Sequence, residues 1–256
     1  MRAPVVIAAA ALTVGAWTTA PAPAKYRIDL KSSQVVDLTA LGQGEQKTSS
    51  GMSIFIAIKY SDTTGGRVVD YVLDSLKPDS GSPVPQSMAD SARGLSWHGL
   101  IDAQGVVREV KSASQNPLTA QLTGAVRTFL PRIKPGLKAG DSWTDTTEAA
   151  DDIPNGSLAT RTVSNHQASG ESYNGVKSIR IATASSSSFS GNQQTPGGAA
   201  AIEGTGSSSA TQYVGPDWSY LGGNSTSTQS LLVSGPFAPE PIPVTVTTEA
   251  AVALLT

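Results

Sequence analysis

The sequence predicts a mainly β fold: a large curved antiparallel sheet, half-barrel or sandwich-like, packed on one long helix and accompanied by a second, short helix. Three observations carry this. Period-two alternation of apolar and polar residues recurs at short intervals along the chain. Gly, Pro, Asn and Asp turn signals separate the alternating runs. A 3.6-residue period, by contrast, holds over only one extended stretch.

Residues 1–24, MRAPVVIAAAALTVGAWTTAPAPA, begin with Arg2, continue as an apolar run from Ala3 to Trp17 and end in Ala-Pro-Ala. A short positive start, an apolar core and a small-residue end are the parts of a secretory signal, with cleavage expected after Ala24. The alternative is a retained N-terminal anchor helix, for which the run is short against the ~20 residues that span a bilayer. Residues 25–256 are expected to form a single antiparallel β-rich domain, since no internal linker divides them.

"YRIDL" is a short alternating strand. In "GMSIFIAIKY", Met52, Ile54, Ile56, Ile58 and Tyr60 share one face. "SDTTGG" then turns the chain into "RVVDYVLDSL", where Val69, Tyr71 and Leu73 point inward and Asp70 and Asp74 outward, so the two runs form a hairpin. After a Pro/Gly/Ser loop, "QSMADSAR" is the short helix. "LSWHGLIDAQGVVREVKS" supplies two strands joined at "DAQG", with Trp97 and His98 on opposite faces. From Asn116 to Leu130 the period changes. Leu118, Leu122, Val126 and Phe129 or Leu130 fall on one face of a helix about four turns long, with Ser114 as a cap near its start.

"FLPRIKPGLKAGDSW" is a structural corner. Pro131 is expected to stop the helix at Leu130, Gly140 supplies a turn geometry that a Cβ disfavours, and Asp141 bonds its own backbone in that turn. Trp143 opens the next strand and is expected to bury its ring beneath the helix with Leu122 or Val126. Downstream, Asn155-Gly156 and Asn174-Gly175 are pairs that close hairpins with positive φ. The Ser-rich stretch 185–211 has the composition of a flexible segment. It is nevertheless expected to form strands, with a mobile tip at Gln193–Gly198. "IPVTVTTEAAVALL" alternates to the end of the chain.

The succession "GLIDAQGVVREV", "FLP" and "GDSW", within Gly99–Trp143, resembles the G-x-x-D-x-x-G, FLP and GD-x-W order of a family of bacterial secreted and lipoprotein-type envelope proteins. The resemblance implies an antiparallel sheet curved around helices, similar to periplasmic lipoprotein carriers, and implies no activity. The chain departs from the lipoprotein members in having no anchoring cysteine.

Composition narrows the chemistry. With 18 Lys and Arg against 20 Asp and Glu and no basic cluster, nucleic acid is not an expected partner. The absence of cysteine closes disulfides, thiolate catalysis and cysteine-held iron–sulfur clusters. His98 and His166 are the two histidines, too few for a histidine-rich metal set. "GLSWHG" has one residue too many for a nucleophile elbow and lies on a strand. Glu148, Asp151 and Asp152 lack calcium-loop spacing. No catalytic, cofactor-binding or metal-binding residue is therefore expected, and no cofactor. The expected protein is a non-catalytic, exported envelope protein, periplasmic or extracellular. Its expected role is to bind a hydrophobic ligand or lipid against Met52, Ile54, Ile56, Ile58, Val69, Tyr71, Leu73, Leu118, Leu122 and Val126, a face that serves equally as core. The alternative is a structural or accessory subunit on the periplasmic face of a membrane protein complex, held by an uncleaved N-terminal helix.

Overall fold

Alternation becomes strand nearly everywhere that the sequence shows it. A computed structural model of the chain describes residues 23–255 except 64–65, 83, 103–106, 114–116, 135, 154 and 217. Nearly all of the expected signal segment, the Ser114 cap and most of the "DAQG" turn lie outside the described residues. The elements are β1 (Ala24–Asp37), β2 (Glu45–Thr63), β3 (Gly66–Pro78), α1 (Gln86–Ser91), β4 (Ser96–Ile101), β5 (Val107–Ser112) and α2 (Pro117–Arg127), followed by β6 (Ser142–Ile153), β7 (Gly156–Tyr173), β8 (Val176–Thr195), β9 (Gly198–Val214), β10 (Tyr220–Ser234) and β11 (Ile242–Leu255).

All eleven strands form one antiparallel sheet in the order β5-β4-β3-β2-β1-β11-β10-β9-β8-β7-β6. The first strand, β1, thus lies mid-sheet. β1 pairs with β2 on one side and β11 on the other, so two meanders share it and end at the edge strands β5 and β6. Ile58 stands opposite Tyr71 and Ile56 opposite Leu73, and a bulge in the β2–β3 ladder inserts Asp74 on the outer face. Asn174 and Gly175, at φ 51° and 80°, make the two-residue turn between β7 and β8. Residues 185–211 lie in strands: β8 and β9 stay in register from Ile179 opposite Val214 to Thr195 opposite Gly198. Thr195 closes that turn by donating its hydroxyl to the Gly198 carbonyl at 2.8 Å.

Three apolar clusters sit on the inner face. The first joins Tyr26, Ile58, Tyr71, Leu73 and Trp97 to Leu118, Val126, Phe129 and Leu130 of the helical region. The second contains Ile133, Leu137, Ala168, Ile181 and Val214, and the third Leu231, Ile242, Val244 and Val246. The helix α2 packs against β4, β5 and β6.

Three expectations are corrected. No long helix is present among the described residues: α2 has 11 residues, roughly 16 Å of rise. Pro117 takes its first helical position, where a missing N–H costs nothing. Pro131 does not terminate it. The helix ends at Arg127, where the Thr128 hydroxyl donates to the Gly124 carbonyl at 2.9 Å, a local bond that competes with helix propagation. Phe129 and Leu130 then turn inward and are buried. Trp143, likewise, does not lie beneath Leu122 or Val126. It packs in the second cluster and stacks on His166, with ring centroids 4.6 Å apart.

Candidate functional site

Of the corner residues, Gly140 and Asp141 make the turn ahead of β6. Gly140 adopts φ 95° and donates its N–H to the Ala168 carbonyl at 2.8 Å. The Asp141 carboxylate accepts the Lys138 N–H at 2.8 Å and pairs with Lys134 at 3.1 Å. The Lys138 N–H and the Lys134 ammonium hold that carboxyl below its ordinary range.

Beyond the corner, the strand β6 carries Asp145 into a polar cluster at the edge of the inner face. Arg132, almost fully buried, pairs with Oδ1 of Asp145 as a close ion contact, and His166 Nε2 lies 3.1 Å from Oδ2. His166 Nδ1 lies 2.8 Å from the Thr183 hydroxyl. A carboxylate only accepts, so Nε2–H donates to Asp145 and, in the neutral ring, Nδ1 accepts from Thr183. Burial pushes the Asp145 carboxyl up, but the His166 bond and the Arg132 guanidinium outweigh it, leaving the group below its ordinary value. Thr183, His166 and Asp145 touch in the order of a nucleophile, base and carboxylate. Yet the carboxylate is neutralised by Arg132, and Thr183 is buried in mid-strand. The arrangement ties Arg132 and the described residues beside it to the sheet.

The larger feature is a band of hydroxyls. Cross-strand register sets Ser50, Ser32, Thr248, Ser227, Ser208, Ser185 and Ser164 opposite one another on successive strands from β2 to β7, with Asp145 opposite Ser164 on β6. A second row alongside it includes Gln34, Gln229, Ser187 and Thr162. At the β7–β8 end the hydroxyls pair with each other: Ser164 with Ser185 at 2.9 Å, and Thr162 with Ser187 at 2.8 Å. On β1, β10 and β11 they do not. Ser225, Ser227, Gln229 and Thr248 are each 8% exposed and Gln34 is 9% exposed. None of these five side chains has a hydrogen-bond partner among the described residues, and none of their polar atoms is sealed from solvent. Their polar tips therefore remain within reach of solvent. Half-buried apolar side chains border the band, Leu30 and Met52 on one side and Val36 and Phe189 on the other.

The outer face carries a shallow cleft of about 530 Å³ lined by Lys25, Phe55, Asp74, Lys77 and Arg93. Lys25 and Asp74 pair across it at 3.5 Å, and the Lys77 ammonium sits 5.1 Å from the Phe55 ring centre. These groups are largely exposed and interact weakly. Among the described residues no group of three or more His, Asp or Glu is placed to hold a metal ion, and no helix is long and apolar enough to cross a membrane.

The expected apolar face is brought together in the first cluster, where Ile54, Ile56, Ile58, Val69, Tyr71, Leu73, Leu118 and Val126 are buried and Met52 and Leu122 partly so. Most of that surface is occupied by the protein's own side chains. Sequence reasoning missed the Arg132–Asp145–His166 cluster and the hydroxyl band. The signal was present in the alternation of "SWTDTT" and "TRTVSNHQA", which puts Trp143, Asp145, Ser164 and His166 on one face. Compared with known proteins, the chain matches no family model, no curated protein and no solved structure.

Proposed function

We propose that this chain is a non-catalytic, exported binding module for a lipid or other amphiphile, held in a trough on the inner face. The observation that carries the reading is the set of nearly buried, unpartnered polar side chains on β1, β10 and β11, bordered on both sides by half-buried apolar ones. These groups reach solvent, and a ligand that covered them without offering partners would cost about 1–3 kcal/mol each, which favours a ligand with polar groups of its own. The trough form is supported by α2. Ten strand spacings set the edges of a flat eleven-stranded sheet roughly 50 Å apart, yet both edge strands meet one short helix. A sheet rolled into a half-barrel satisfies this, as the resemblance to periplasmic lipoprotein carriers implies. Export rests on the signal-like residues 1–24.

A second reading is favoured by the outer face, where Thr247, Thr228, Ser207 and Ser186 line up across four strands in a half-exposed to exposed row with no charge among them. A wet, weakly charged surface of this kind suits an accessory subunit docked on a membrane complex. Native mass spectrometry of protein taken gently from its cell envelope separates the two. A mass of residues 25–256 with a lipid-sized adduct supports the binding module. An intact N-terminus migrating with a membrane complex, and no adduct, overturns it.

A further inference from the structure

The geometry points to a neutral, polyhydroxylated head group, that of a sugar, as the polar part of the ligand; this rests on the trough reading above. The floor of the band offers Ser32, Ser227, Thr248, Gln34 and Gln229. Each of these side chains both donates and accepts hydrogen bonds, as a sugar hydroxyl does. A phosphate or carboxylate head only accepts, and burying its charge beside uncharged groups is costly unless a cation pairs with it. Among the described residues of the flooring strands, no cation faces the band. The charged residues of the flooring strands, among them Lys25, Arg27, Lys31, Lys47 and Glu249, are exposed on the opposite face. Arg132, at the far end of the hydroxyl row, is already neutralised by Asp145. A cationic head fares no better, since that same Asp145 is the carboxylate at the end of the row and is held by Arg132 and His166.

Three probes of equal chain length test this on the unmodified protein: n-dodecyl-β-maltoside, dodecylphosphocholine and dodecanoate, each titrated calorimetrically below its micellar concentration. The expected result is that the maltoside binds at least ~10-fold more tightly than either charged probe, which is about 1.4 kcal/mol. Thr248→Val combined with Ser227→Ala is expected to abolish that preference by weakening maltoside binding. Equal binding of all three probes, or a preference that survives the double variant, overturns the sugar assignment and leaves the amphiphile reading standing. Failure of all three to bind overturns both. The comparison on the unmodified protein decides the question even if the double variant does not fold.

Discussion

The two halves of the sheet solve the same problem with opposite materials. From β1 to β5 the inner face is mainly Ile, Val, Leu, Tyr and Trp, packed against the helical region, and turns polar only at the band end of β1 and β2, at Ser32, Gln34 and Ser50. From β7 to β10 the same face is largely Ser, Thr, Gln and Gly, with its larger apolar side chains confined to the ends of the strands. The contrast shows in how each half treats a hydroxyl. In the apolar half the Tyr71 hydroxyl is fully buried without a partner. Burial, with Tyr60 and Tyr26 beside it, pushes its pKa well above the ordinary 10.0. In the polar half Ser164, no less buried, bonds Ser185. One half is held by dry packing. The other is held by the ladder and by paired side chains, and so leaves polar groups over for something else.

The largest break in this comparison comes from the dry side. Trp97 is 1% exposed and donates its indole N–H to Thr123 at 3.0 Å, and the Thr123 hydroxyl donates in turn to the Thr119 carbonyl at 2.7 Å. Trp97→Ala opens a cavity under α2 and removes the indole donor to Thr123, so a loss of about 4 kcal/mol is expected in urea unfolding. A loss under about 1 kcal/mol shows that this half is not the one that bears the stability.

On the polar side the strongest expected effect is electrostatic. Asp145→Asn removes the carboxylate that pairs with the buried Arg132. About 2–3 kcal/mol should be lost, below the value for a fully buried pair because the Asp145 side chain is 20% exposed. The pH dependence has a fixed sign. The folded carboxyl titrates below its ordinary value of 3.8, so its contribution is complete above that value and disappears as pH falls through the folded one. Unfolding free energies should fall below about pH 4 in the parent protein and more shallowly in Asp145→Asn. Parallel curves show that another carboxylate controls the acid limb.

Tyr71→Phe reverses the sign. Removing a sealed, unpartnered hydroxyl while keeping the ring is expected to raise stability by about 1 kcal/mol. A destabilised variant shows that the hydroxyl has a partner, and the apolar half is then wetter than its side chains imply.

Alternation made the strands legible because it is local. Met52 to Tyr60 and Ile242 to Leu254 each announce their buried face without reference to any neighbour. The end of α2 was misjudged although the chemistry was equally local, since Pro131 looked decisive while the Thr128 hydroxyl acted three residues earlier. The hydroxyl band was not legible. Ser32 meets Thr248 only through a pairing of the two ends of the domain, and a one-residue slip in any ladder would scatter the row to both faces. The Asp145 cluster lies between these cases. The inward parity of Asp145 and His166 could be read from the sequence, whereas the approach of Arg132 depends on how residues 131–141 fold back.

The smallest expected effect is the most diagnostic. Thr248→Val replaces an unpartnered hydroxyl with a methyl group of nearly the same shape, so no hydrogen bond within the protein is lost. β-branching is kept, and the added apolar surface joins Val246 and Ala250 on the same face. Stability should therefore stay within about 0.5 kcal/mol of the parent. A Thr retained only for packing predicts no change in anything else. A Thr that faces a ligand predicts unchanged melting with weakened retention of whatever co-purifies in the trough, measured as the adduct fraction by native mass spectrometry. If Thr248→Val instead destabilises by 1 kcal/mol or more, the hydroxyl is bonded within the fold. The two halves would then differ in composition but not in kind, and the polar band would be core.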